Sequence, residues 1–181
     1  MIESYDYTRR TGVRELDWET CSELAAGLAE ALETLGIDAV VGVARAGLIP
    51  ATTIALSLRR EMFPIRLSRR VNDEVKFDSP VWWIRVPPDV GGLRVAVVDE
   101  LADTGGTLEM VRQAVLEVGA SEVVTACLVQ HSWASPAPTF AGLMSDELII
   151  FPWNRVLDGG GWRLHPELES ALPALGSPRA P

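Results

Sequence analysis

The chain has 181 residues, 48% of them hydrophobic, enough for one well-filled core and too many for general disorder. Its net charge of −9 argues against a general binder of nucleic acid or anionic membrane, although a few local cations and backbone amides still suffice for a phosphorylated small molecule. The cations are lopsided: 15 are Arg, and Lys76 is the single Lys.

Hydrophobic periodicity divides the chain into alternating elements. Residues 17–35 carry Leu24, Leu28, Ala31, Leu32 and Leu35 at helical spacing, and Gly36 follows as a stop. Residues 38–44 form a short apolar run of the kind a buried parallel strand shows. The turn Arg45-Ala46-Gly47 leads into a helix over about 48–60, with Pro50 tolerated in its first turn. Residues 63–68 read as a second strand, 69–80 as a long polar exposed loop, and 81–86 (VWWIRV) as a strand ended by Pro87-Pro88. The strongest strand signal is LRVAVVD at 93–99. A polar, Gly-containing turn at 100–107 follows, then a helix over about 107–118, a strand near 122–129 and a last strand at 147–153. Strands alternating with helices predict an α/β domain with a mostly parallel sheet over residues 1–157. From about 158 the chain is rich in Gly and Pro; residues 162–172 are expected to pack as a cap and the final residues to be loose.

Cys21 and Cys127 stand apart without CxxC spacing, so buried free thiols in a reducing compartment are expected. The opening MIESYDYTRR lacks the apolar core of a signal peptide, and no apolar run approaches the ~18 residues of a transmembrane helix. These features read as a soluble, cytoplasmic protein.

The segment richest in chemistry is VAVVDELADTGGTL, Val95 to Leu108. It is an apolar strand ending in two carboxylates, Asp99 and Glu100, both expected to be partly solvated there. The turn Asp103-Thr104-Gly105-Gly106-Thr107 then opens a helix. Ligands of parallel sheets bind beyond the carboxyl ends of strands, and amides at a helix start attract anions. The glycines let the backbone approach closely, and the two threonines can donate hydroxyl hydrogen bonds, so this turn can cradle a phosphate. Two acids beside a phosphate suit a sugar diol or a divalent cation carried by phosphates. Neither GxxxxGK[ST] nor GxGxxG is present.

VVDELADTGGTL resembles the phosphoribosyl-diphosphate (PRPP) signature of type I phosphoribosyltransferases, and is especially close to the xanthine and xanthine-guanine branch. A second match, Val41-Gly42-Val43-Ala44-Arg45-Ala46-Gly47-Leu48-Ile49-Pro50, resembles that family's pyrophosphate-binding loop. A third, Ile150-Phe151-Pro152-Trp153, resembles a segment that places an aromatic near the base. The resemblance implies a three-layer fold with a small hood from the termini, to which residues 158–181 would contribute. It implies PRPP binding by Asp99, Glu100, Ala102, Asp103, Thr104, Gly105, Gly106 and Thr107, with Asp103 in acid/base work. It implies pyrophosphate binding by Arg45, Ala46 and Gly47, joined by Arg69 and Lys76 from a mobile loop at 69–80. Ala46 replaces the usual Gly or Ser and adopts φ > 0 less freely. Base contacts are expected from His131, Ser132, Phe151 and Trp153. Mg²⁺ is expected to be held mainly by PRPP and water, with no direct protein metal ligand assigned. The partners implied are PRPP and a nucleobase-like molecule, with no nucleic acid or membrane. A homodimer or higher homo-oligomer is expected.

One departure concerns the acceptor. Members acting on 6-oxopurines carry a Lys that donates to the 6-oxo group, whereas the matching segment here, Leu128-Val129-Gln130-His131-Ser132-Trp133, has none. A neutral donor is weaker than a charged one. The resemblance therefore implies transfer of a 5-phosphoribosyl group from PRPP to a nitrogen of a purine-like or purine-analogue base, with release of pyrophosphate. The alternatives are a PRPP- or nucleotide-sensing regulator on the same fold and a phosphoribosyltransferase with a non-purine acceptor.

Overall fold

The computed structural model describes residues 9–72 and 74–176. In chain order the elements are β1 (Val13–Glu15), α1 (Trp18–Glu33), β2 (Ala39–Val43), α2 (Leu48–Leu58), β3 (Glu61–Ser68), β4 (Arg70–Val71), β5 (Glu74–Val75) and β6 (Val81–Ile84). They continue with β7 (Arg94–Ala102), α3 (Gly106–Glu117), β8 (Glu122–Gln130), β9 (Phe140–Met144), β10 (Leu148–Ile150), β11 (Arg155–Asp158), β12 (Gly161–Leu164) and α4 (Pro166–Leu175). These elements group into two compact units, Ser22–Ser145 and a second formed by 9–21 with 146–176.

The first unit is built on a six-stranded sheet in the order β6-β3-β2-β7-β8-β9. Every pairing is parallel except β3 with β6, so the expected α/β architecture with a mostly parallel sheet is present. All five residues of β2 and five consecutive residues of β7 are buried, as strands covered on both faces must be. Side chains alternate between faces along a strand. Val41, Val43, Val95 and Val97 accordingly join Leu108, Val111 and Val115 of α3 in one core cluster. Gly42 meets Leu48 and Ala51 of α2 on the opposite face. Helices therefore cover both faces, giving three layers. From β2 the chain crosses to β3 on one side and later returns to β7 on the other. This reversal leaves a crevice beyond the carboxyl ends of β2 and β7, the usual ligand position in such sheets.

The second unit pairs β1 with β10 in parallel and β11 with β12 in an antiparallel hairpin. Its core joins Val13, Leu148 and Ile150 to Ala171, with Leu164, Leu168, Leu172 and Leu175 packed against it. Residues from early and late in the described chain thus contribute. The stretch expected to form a cap, 162–172, lies in β12 and α4, whose Leu164, Leu168 and Ala171 pack in this core. Pro166 at the first helical position and the His165 ring accepting from the Glu167 N–H start that helix.

Several element expectations are corrected. The strand expected over 147–153 is only β10, because Pro152, which has no N–H, opens a short 3-10 turn at Pro152–Asn154. The polar stretch 69–80 folds partly into the antiparallel pair β4 and β5 rather than a plain loop. The turn expected from 100 begins later, because β7 runs on to Ala102, paired with Gln130. The strand β9 (FAGLM) went unread: Ala and Gly are poor strand formers, and it pairs along one edge only.

Candidate active site

Two turns leave the carboxyl ends of neighbouring strands β2 and β7. The first, 44–47, leaves β2; the second, 103–105, leaves β7. Gly47 lies so close to Asp99 that a Cβ placed there would sit 2.5 Å from Asp99 Oδ1 and 2.9 Å from its Cα. The same atom would sit 2.6 Å from the Val43 carbonyl oxygen. A side chain cannot be accommodated, so the Gly is required by close approach rather than by backbone angle (its φ is −62°). Ala46 is not among the described non-glycine residues with positive φ, so its substitution for Gly needs no unfavourable conformation. The Ala44–Arg45 peptide is cis, and the Arg45 side chain is exposed. No side chain caps the start of α2.

Asp99 is 8% exposed, and its Oδ1 accepts the Glu100 backbone N–H at 2.9 Å. Burial, reinforced by the neighbouring Glu100 carboxylate, pushes the Asp99 carboxyl well above the usual carboxylate range. The expectation of two partly solvated acids is thus corrected for Asp99: β8 pairs with it at Cys127 and the turn at Gly47 packs against it, which removes it from water. Glu100 is half-buried.

Beyond Ala102, Asp103 is half-buried, Thr104 and Gly106 are exposed, and Thr107 is half-buried. Gly105 takes φ 84°, a left-handed conformation that favours glycine, and a Cβ there would lie 2.1 Å from the Pro136 carbonyl oxygen. No side chain caps α3. Its first amides are left to an anion, as helix starts allow.

The segment after β8 lies along this turn. The His131 N–H donates to the Ala102 carbonyl at 3.2 Å, and the Ser135 N–H donates to the Thr104 carbonyl at 2.9 Å. Between them, Trp133 Nε1–H donates to Asp103 Oδ1 at 3.2 Å. Sequence reading missed this contact, because nothing in a pattern of residues relates an indole to a carboxylate 30 positions earlier. His131, expected to face a base, is 1% exposed. Its Nδ1 lies 2.5 Å from the Ser145 carbonyl oxygen, and its ring stacks on Trp133 at 4.5 Å between centroids. That is a core position, which corrects the expected base contact. Ser132 is exposed.

In the stretch expected to close over the reacting centre, Arg69 Nε donates to the Phe77 carbonyl at 3.1 Å. Lys76 is exposed and pairs with Glu74. The rings of Phe151 and Trp153, in the second unit, stack on each other at 4.8 Å and 9°, with Phe151 3% exposed. Among the described residues no group of three or more His, Cys, Asp or Glu is placed to hold a metal ion, and no helix is long and apolar enough to cross a membrane.

Comparisons with known proteins give the chain its family. Residues 18–157 match the phosphoribosyl transferase domain family, and the chain belongs to it. It is 29% identical over 158 residues to the xanthine-guanine phosphoribosyltransferase of Cereibacter sphaeroides, covering 78% of this chain and 87% of that protein. It is 26% identical over 131 residues to the adenine phosphoribosyltransferase of Petrotoga mobilis, covering 68% of this chain and 76% of that protein. The crystal structure of a purine phosphoribosyltransferase from Pyrococcus horikoshii superposes with a TM-score of 0.71 at 32% identity, over 81% of this chain and 97% of that one.

Proposed function

We propose that this chain transfers the 5-phosphoribosyl group of PRPP to a nitrogen of a purine-type base and releases pyrophosphate. The observation that supports the reading is the approach of Gly47 to Asp99, which seats the turn 44–47 against the acidic end of β7. Its family membership supports the same reaction.

In this reading the uncapped start of α3, with Thr104 and Thr107, holds the 5-phosphate. Asp99 and Glu100 bind the ribose diol. The amides of Ala46 and Gly47, with Arg45, hold the pyrophosphate; Arg69 and Lys76 reach it from the stretch 69–80. The bond from the anomeric carbon to pyrophosphate oxygen breaks, and its electron pair leaves with pyrophosphate. The base nitrogen forms the new bond to that carbon and gives up its proton to Asp103. The exposed Ser132 is the side chain proposed to meet the base. The adjacent carboxylates of Asp99 and Glu100 would offer oxygen donors to Mg²⁺ arriving with PRPP. When bound, Mg²⁺ neutralises charge on the leaving pyrophosphate. Two buried free cysteines fit a reducing, cytoplasmic setting. Val81, Trp83 and Ile84, exposed on the edge strand β6, support the expected self-association.

The test is incubation with PRPP, Mg²⁺ and a panel of nucleobases, following pyrophosphate and nucleotide. Nucleotide formation with a purine-type base is expected. PRPP binding without turnover on any base would instead mark a PRPP-sensing protein. Absence of PRPP binding would overturn the assignment.

A further inference from the structure

Four successive residues of the turn, Ala102 to Gly105, are each met by the segment after β8. His131 bonds Ala102, Trp133 bonds Asp103, Ser135 bonds Thr104, and the Pro136 carbonyl lies against Gly105. Only one of these contacts reaches a side chain that the proposed reaction uses: Trp133 on Asp103. An indole N–H is a donor only, so it engages Asp103 by holding one carboxylate oxygen. The indole is itself held. The His131 ring stacks on it with 20° between planes, and that ring is anchored through Nδ1 to the Ser145 carbonyl. Ser145 is tied back by its N–H to the Gln130 carbonyl at the end of β8. A rigid chain of contacts thus runs from the sheet to the Asp103 carboxylate.

We propose that Trp133 is a positioning residue for phosphoribosyl transfer. Its indole N–H sets the orientation of the Asp103 carboxylate toward the acceptor, and the buried His131 ring sets the indole. The proposal rests on the reading of Asp103 as the group that accepts the base proton. The 5-phosphate is held separately, by backbone amides and threonines, so Trp133 should govern the rate of transfer and not the capture of PRPP.

The test uses the full chain. Trp133→Phe keeps an aromatic ring for His131 and removes only the N–H. A hydrogen bond to a charged group is worth roughly a ten- to hundredfold effect, so kcat is expected to fall by about that factor while the KM for PRPP stays within about twofold. Unchanged kcat, or a KM for PRPP and a Tm that move together with kcat, would overturn the proposal. A second measurement does not depend on how that variant folds. In ¹⁵N-labelled protein the Trp133 indole resonance should move upfield in Asp103→Ala, and an unmoved resonance would refute the contact. PRPP titration of the unsubstituted protein separates the two layers: no PRPP binding defeats the functional reading, whereas binding with no kcat effect in Trp133→Phe defeats only this one.

Discussion

Gly105→Ala measures how tightly the phosphate turn is clamped, and Gly119→Ala calibrates it. Both glycines have positive φ, 84° and 100°. A left-handed conformation costs a residue with a side chain about 1–2 kcal/mol, so both variants share that loss. They differ in space. An added Cβ at Gly119 meets nothing within 4 Å, whereas at Gly105 it would lie 2.1 Å from the Pro136 carbonyl oxygen, a backbone atom that cannot swing away. Overpacking of this kind adds about 1–3 kcal/mol. The expected losses are therefore about 1–2 kcal/mol for Gly119→Ala and about 2–5 kcal/mol for Gly105→Ala. At roughly 2–4 °C per kcal/mol for a chain of this size, the second variant should melt about 4–20 °C lower. Relief of the clash must also displace the turn from the ligand, and misplacement of about 1 Å can cost on the order of a hundredfold in rate. Urea unfolding and kcat/KM for PRPP measure the two effects. Equal destabilisation by both variants, or unchanged PRPP kinetics in Gly105→Ala, would refute the clamp.

Further predictions concern Asp99, the segment after β8 and the two thiols. Because Asp99 holds its proton above the ordinary carboxylate range when folded, the unfolded state releases that proton first as pH rises. The contribution of Asp99 to stability is then fully present at low pH and is lost as pH rises between the unfolded and folded values. Asp99→Asn should accordingly match the unsubstituted protein in acid, exceed its Tm near neutral pH and lose PRPP use; parallel curves of Tm against pH would sink the reasoning. Lys at exposed Ser132 should improve use of a 6-oxopurine by roughly fivefold, the ratio set by about 1 kcal/mol between a charged and a neutral donor. Lys at buried His131 should instead destabilise the fold, so improved 6-oxopurine use with undiminished stability in His131→Lys would show that the register is wrong. Burial pushes the Cys127 thiol up to about 12 and the Cys21 thiol up to about 11, so neither should react with a disulfide reagent at neutral pH until the protein unfolds.

Local pattern made some features legible and hid others. The strands β2, β7 and β8 are continuous apolar runs, and the turns after β2 and β7 carry Gly where backbone must come close, so both could be placed from residue order alone. What residue order does not carry is which backbone lies against those glycines. Gly47 is needed because Asp99 is beside it, and Gly105 because Pro136 is, and each partner comes from another strand end. Burial at a strand end was likewise misjudged. Asp99 looked solvated as the first acid after an apolar run, but β7 continues past it to Ala102 alongside β8, and Gly47 packs against it. Of the two edge strands of the main sheet, β6 was legible from its apolar run, whereas β9 was missed because its Ala and Gly are poor strand formers.

The absent Lys now has a structural counterpart. A base-facing cation would have to project from 130–133, yet Gln130 closes β8 against Ala102 and Met144, His131 is turned into the core, and Trp133 is committed to Asp103. Ser132 alone in that stretch is exposed. The segment instead braces residues 102–104, through the His131 and Ser135 backbone N–H groups and the Trp133 indole. Under the proposed function, only the short neutral Ser132 hydroxyl is then left to meet the acceptor. Adenine-type, 6-amino acceptors need no cationic donor at position 6, so on these grounds they should be used in preference to guanine, hypoxanthine and xanthine. Turnover of guanine or hypoxanthine at a rate equal to or above that of adenine would contradict this account of the bracing segment.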